Sequence, residues 1–295
     1  MAAIGFEQGK VDPCVFRKVV DGEAEAVVVV HVDDIFAHVK DKATMDRFAA
    51  ELGQKFKLKD MGDARYYVGC HITRNRKARE LKIDQHLYVE STVEKFDIKK
   101  ESRIRATSGV PTLSKADEPR NPEEKEEIRK FPYREAVGAL MWMETMTRPD
   151  IASAVLAVAR LTKTLDRRIR RHLLRYETIV AASGTSEAEY VALSEAVKEV
   201  LFLRQFHKFM EPSMTVGAVN VFEDNEGGIK VATNRHTSHR TKHIDVKHHM
   251  VRDASDARKV RAAYVRSEDQ HADLLTKPLD TQRFYKQVKA VLKEV

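Results

Sequence analysis

Two carboxylates stand side by side in the stretch VVVVHVDDIFAH: Asp33 and Asp34, between two apolar runs. Adjacent like charges repel, and each buried ion carries a desolvation penalty of several kcal/mol. Such a pair needs water around it or a compensating cation. Three more acids sit at the ends of predicted elements. Glu189 closes a capping-box spacing from Ser186. It also precedes Leu193, Ala196, Val197, Val200 and Leu203 at helical spacing. It therefore heads an apolar stripe, where a carboxylate requires a partner such as a metal. Glu187 points elsewhere and suits a plain helix-dipole role. Asp224 ends a strand before a turn, and Asp273 lies near a helix start; acids are ordinary at both places. Taken together, a helix, a strand end and a helix start each offer one carboxylate. Clusters of that kind hold paired divalent cations for in-line phosphoryl transfer. Hard oxygen ligands with open positions suit Mg²⁺.

The elements that must position these residues follow from periodicity. Residues 27–32 and 35–39 predict two short strands at hairpin spacing, with Asp-Asp as an unusual turn pair. Met45, Phe48, Ala49, Leu52 and Phe56 share one face of a helix over 44–56. ARYYVGCHITRN and ELKID predict a second hairpin with charged RNRKAR at its tip, and QHLYVESTVEKFDI a helix. The charged, proline-bearing stretch 99–130 predicts a flexible connection. Helices resume at YREAVGALMWMETM and at RPDIASAVLAVARLTKTL, where Pro149 suits a first helical position. DRRIRRHLLRYE is a basic helix, read either as a solvated face or as a phosphate track. Beyond it, SEAEYVALSEAVKEVLFLRQFHKFM is a long helix, VGAVNVFEDN a strand, EGGIKVATN a short helix, KVRAAYVRSE a strand and DQHADLLTKPL a helix start.

The 295 residues suit two domains and a connecting segment. Lys and Arg number 52 against 45 Asp and Glu, a net charge of +7, which favours a polyanion partner such as nucleic acid. Cys14 and Cys70 are the only cysteines, so no disulfide framework is expected and a reducing compartment fits. No apolar run is long enough to span a bilayer, and MAAIGFEQGK lacks a signal-peptide pattern. The expectation is an intracellular soluble protein. His236, His239, His243, His248 and His249 invite a zinc reading, but no cysteine and no H-E-x-x-H arrangement accompanies them.

Several motifs, in order, are similar to one family. GFEQGKVDPCVF, HVDDIF, FKLKDMGDARYYVGCHI and YREAVGALMWMETMTRPDIASAV are followed by TSEAEYVALSEAVKEVLFL, EDNEGGIKVA, HTSHRTKHIDVKHHMVRD and DQHADLLTKPL. They resemble the reverse transcriptase–RNase H part of a copia-type long-terminal-repeat retrotransposon polyprotein. The resemblance covers almost the whole chain and implies an α+β fold: a partial reverse transcriptase palm over 1–84, a helical thumb and connection over 85–176, and an incomplete RNase H-like α/β domain over 177–295. It implies that Asp33 and Asp34 bind Mg²⁺ for polymerisation, by positioning and charge neutralisation rather than covalent chemistry. It likewise implies that Glu189, Asp224 and Asp273 bind Mg²⁺ for cleavage of RNA in an RNA–DNA hybrid. His31 stands where the family usually has tyrosine; it can stack but is smaller and titrates near neutrality. His31, Gly69 in the stretch resembling the primer grip, Arg171 and Arg175 on the basic helix, and Arg240 and Lys242 would meet nucleic acid. The implied partners are an RNA template, a DNA primer and their hybrid; the implied location is cytoplasmic, in a virus-like particle, or nuclear.

The chain departs from the family's pattern in two further places. The palm strand carrying a third metal-binding aspartate would lie upstream of Met1. LRYETIVAASGTSEAEY joins motifs that the family separates by the opening RNase H strands and their first catalytic aspartate. Each metal site is thus expected to lack one carboxylate, and missing strands to leave apolar surface exposed. Two functions compete: RNA-directed DNA polymerase with RNase H, or a catalytically inactive relic that at most binds nucleic acid.

Overall fold

The computed structural model describes residues 1–98, 121–123, 126, 132–160, 186–233 and 245–292. The chain divides into two units. The first comprises Met1–Ala64, Tyr190–Val221 and Gly227–Ala263; the second comprises Arg65–Glu189, Phe222–Glu226 and Tyr264–Val295. Helices and antiparallel sheets mix without a regular βαβ alternation over the first half, as an α+β chain requires.

The first unit opens with an antiparallel sheet of β1 (Glu7–Gln8), β2 (Val15–Val20), β3 (Glu23–His31) and β4 (Asp34–Val39), in sequence order. Its valine run gives β3 high strand propensity. Alternation puts Ala26 and Val28 into the core with Phe6, and α1 (Lys42–Gly53) covers them with Phe48 and Leu52. Asp41 starts α1 by accepting a hydrogen bond from Thr44 N–H at 2.8 Å, which holds its carboxyl below the usual range. Phe56, expected on the helix face, lies past the end of α1 and is 58 % exposed.

In the second unit, β5 (Tyr66–Tyr67), β6 (Cys70–Asn75) and β7 (Glu80–Asp84) form an antiparallel sheet followed by α2 (His86–Lys95). This is the second hairpin and its helix as read from sequence. α3 (Tyr133–Met146) and α4 (Ala152–Arg160) pack through Val137, Leu156 and Ala159. Pro149 opens a 3-10 turn, Pro149–Ile151, that leads into α4 rather than belonging to it.

The long helix α5 (Ser186–Met210) has the bounds its periodicity predicts. Its buried face runs through Tyr190, Leu193, Ser194 and Val197, packed with Val251, Ala254 and Val260. Leu203, placed on the stripe from sequence, is instead 58 % exposed, while Leu201 packs on the core. β8 (Val219–Glu223) and β9 (Val260–Tyr264) pair with each other, and α6 (Glu226–Thr233) and α7 (Asp245–Asp256) lie between them in sequence. Val219 N–H donates to Lys259 C=O where both strands start, and Val265 N–H to Glu223 C=O where both end. The two strands therefore run parallel. Phe222 on β8 and Tyr264 on β9 are each 56 % exposed, an unusual condition for a parallel pair. α8 (Asp273–Thr276) and α9 (Thr281–Val291) finish the described chain, with Leu274, Leu279 and Phe284 packed together.

Candidate functional site

The β3–β4 hairpin turns one residue earlier than the sequence predicts. His31 pairs with Asp34, so the two loop residues are Val32 and Asp33. Val32 takes φ 54°, a left-handed conformation rare for a β-branched residue, and is 84 % exposed. The glycine or asparagine that would relax such a turn is absent. Local strain thus accompanies the Asp-Asp sequence. His31, Asp33 and Asp34 are all exposed. Neither carboxylate makes a side-chain hydrogen bond or ion pair among the described residues. The pair avoids the cost of burial by standing in water.

The other acids are arranged differently, and all lie within the second unit. Glu189, on the first turn of α5, is half-buried; burial raises its carboxyl, with the charge of Asp224 adding to the rise. The charge of Asp273 raises it further, and that of Lys277 opposes. The charges of Asp224 and Asp273 thus both act on Glu189. Asp224 follows the end of β8 at intermediate exposure.

Asp273 is buried, but not unsatisfied. Arg283 Nη2 and Lys277 Nζ each reach one of its carboxylate oxygens at 2.7 Å. Lys277 is the i+4 neighbour on the sequence; Arg283 comes from α9, which Asp280 starts by capping Arg283 N–H at 2.9 Å. Two cations thus already neutralise this acid, so it could join a metal only by exchanging them.

A fourth carboxylate, Glu223, belongs to the group and was passed over in the sequence. It is 5 % exposed, and burial pushes its carboxyl up to about 7, with Glu189 and Asp224 adding to the rise. Its Oε1 accepts from Asn225 N–H at 3.0 Å, which partly opposes that rise. The signal was available: alternation on β8 puts Val219, Val221 and Glu223 on one face. Burial and the charge of Asp224 raise both Glu189 and Glu223, so these carboxyls are short of positive charge, and their hard oxygens are of the type that suits a cation such as Mg²⁺.

Among the residues expected to meet nucleic acid, Gly69 has a local explanation. Tyr67 pairs with Cys70, leaving Val68 (φ 47°) and Gly69 (φ 79°) as a two-residue turn with both φ positive. A Cβ at Gly69 would make ordinary contact with Trp142 Nε1 at 3.4 Å, so it is the positive φ rather than space that calls for glycine. Arg171, Arg175, Arg240 and Lys242 lie outside the described residues, as do His236, His239 and His243.

Residues 1–109 match the family described as reverse transcriptase (RNA-dependent DNA polymerase). Over 92 % of its length the chain is 28 % identical to the "Retrovirus-related Pol polyprotein from transposon TNT 1-94" of Nicotiana tabacum, covering 25 % of that protein. It is 23 % identical over 96 % of its length to the corresponding polyprotein from transposon RE1 of Arabidopsis thaliana, covering 23 % of it. The match to transposon RE2 of the same plant is also 23 % identical, over 89 % of the chain. The chain thus spans about a quarter of the length of the curated relatives it matches. No solved structure matches it. Over most of its length the chain is thus similar to retrovirus-related Pol polyproteins of copia-type plant transposons, and its residues 1–109 match the reverse transcriptase family.

Proposed function

We propose that this chain carries part of a retrotransposon's RNA-directed DNA polymerase together with an RNase H-like region. The observation that carries the polymerase reading is the hairpin. Asp33 and Asp34 stand exposed at a strained two-residue turn, at the end of a valine-rich strand, inside the stretch that matches reverse transcriptases. Exposed, unpartnered carboxylates are free to hold Mg²⁺. When bound there, the ion would neutralise the phosphates of an incoming nucleotide and align them for in-line transfer. His31, exposed and paired with Asp34, would stack on a base or sugar of the primer end. In the second unit, Glu189, Glu223 and Asp224 would hold the cation for hybrid cleavage, with Asp273 joining only if Lys277 and Arg283 release it. RNA, a DNA primer and their hybrid are the proposed partners, met inside the cell in a particle or the nucleus.

A second reading has its own support. The ion pairs of Asp273 leave the RNase H-like group short of one ligand, and only two acids stand at the polymerase turn. That favours a chain which binds RNA–DNA hybrid through its basic surface without turning it over. Such binding weakens with salt and is indifferent to Mg²⁺.

Primer extension on an RNA template, with Mg²⁺ and deoxynucleotides, separates the two. Extension that disappears in Asp34→Asn supports the polymerase reading. Extension that survives Asp33→Asn and Asp34→Asn removes the hairpin from the chemistry. Folded protein that binds hybrid but extends nothing supports the second reading. Hybrid cleavage unaffected by Glu189→Gln and Asp224→Asn would dismiss the RNase H-like assignment.

A further inference from the structure

Three side chains in the second unit converge where the β6–β7 hairpin meets α2. His71 and Asp84 are cross-strand partners at the open end of the hairpin. His86 follows two residues later as the first residue of α2. Their donor atoms all lie within 4.8 Å of one another. The Asp84 carboxylate faces both rings: Oδ1 contacts His86 Nδ1, and Oδ2 lies 3.7 Å from His71 Nδ1. The two rings stand edge to face, with centroids 5.1 Å apart and planes at 82°.

His71 Nδ1 is the informative atom. It is buried, and it has no hydrogen-bond partner. A nitrogen shut off from water without a partner is costly. At 3.7 Å its nearest carboxylate oxygen is too far for a hydrogen bond. Two donors that share one tetrahedral zinc, with bonds of about 2.0–2.1 Å, lie about 3.3 Å apart. A shift of a few tenths of an ångström would therefore bring His71 Nδ1 and Asp84 Oδ2 to one ion, and His86 Nδ1 would exchange its direct contact with Asp84 Oδ1 for the metal. Antiparallel pairing fixes two of the ligands opposite each other, and the helix start supplies the third. The ligands are neutral imidazole and carboxylate, which select a borderline divalent metal rather than Mg²⁺.

We propose that His71, Asp84 and His86 form a Zn²⁺ site that fastens the end of the hairpin to the first turn of α2. The set is two nitrogens and one oxygen, and exposure of His86 leaves room for water as the fourth ligand. Cys70, beside His71 in sequence, is not part of it. Its side chain is buried on the other face of β6. The site is separate from the carboxylates assigned to phosphoryl transfer and does not depend on that reading.

Calorimetric titration of the whole chain with Zn²⁺, alongside Co²⁺ absorption, tests the proposal. One equivalent should bind, give visible d–d bands and raise the thermal midpoint. In His86→Gln, an exposed change, affinity should fall about tenfold or more, and the metal-dependent rise in midpoint should vanish. His71→Asn should do the same, since both imidazoles are ligands. Histidines elsewhere in the chain are the control. If both variants keep circular dichroism and bind Zn²⁺ as the parent does, the metal sits elsewhere and the proposal is wrong. Folded parent protein that binds no Zn²⁺ at tens of micromolar, an order set well above the usual zinc affinities, overturns it as well.

Discussion

The two groups of acids treat the same problem in opposite ways. At the β3–β4 turn, Asp33 and Asp34 remain in water, and the cost is carried by backbone geometry at Val32. At the ends of α5 and β8, Glu189 and Glu223 are drawn out of water, and the cost appears as carboxyls that resist ionisation. Asp273 takes a third course, buried but matched by two cations. Acidic residues with similar sequence signals thus occupy quite different energetic states. Water screens an exposed pair, so it contributes little to folding and is available to a ligand. A buried group acts on stability before any ligand arrives.

The largest consequence falls on Asp273. Asp273→Ala removes the partner of Arg283 and Lys277 and should cost about 2–4 kcal/mol, less than a fully buried pair because Lys277 is half in solvent. Urea denaturation would measure it; a midpoint that does not move would mean the ion pairs are idle.

Glu223 gives the next effect, and it depends on pH. Folded, this carboxyl keeps its proton up to about 7; unfolded, it loses it near 4.5. The unfolded chain binds fewer protons across that window, so stability falls as pH rises from about 4.5 to about 7 and then levels. The fall is on the order of 3 kcal/mol at most. Glu223→Gln, which keeps the acceptor for Asn225 N–H, should flatten that part of the profile. Equal slopes in both proteins would mean that Glu223 is solvated. A cation held by this group should compete with the proton, so Mg²⁺ should raise the thermal midpoint more at pH 8 than at pH 5.

Relief of the turn is smaller. Val32→Gly should stabilise by roughly 1 kcal/mol, the difference between a strained β-branched residue and the entropy of glycine. A loss of stability would show that Val32 is not strained. Smallest of all is Asp33→Asn, which should leave the denaturation midpoint unchanged while removing any primer extension. A destabilised Asp33→Asn would break the contrast between the two regions.

How far the sequence could be read depended on what each feature requires. The bounds of α3 and α5 were legible because apolar spacing, caps and length agree there. The β6–β7 hairpin was legible for the same reason. The β3–β4 turn was misplaced by one residue, since Asp-Asp is a more usual turn pair than Val-Asp and pairing decided otherwise. Leu203 was misassigned because a helix of this length turns its stripe away from a core that ends at Leu201. Glu223 was hidden beside Asp224, and only its place on a buried strand face makes it matter. His71 and His86 are fifteen positions apart in a stretch where neither stands out.

The sequence alone determined which acids, imidazoles and cations exist, the order of the elements and the family the chain resembles, because these rest on residue type and short-range spacing. Tertiary structure decided the state of each group. Burial, not sequence, raises Glu223. Helix packing brings Arg283 to Asp273. Strand register sets His71 opposite Asp84. Desolvation and Coulomb energy depend on distances through space, and those are set only when the chain has folded.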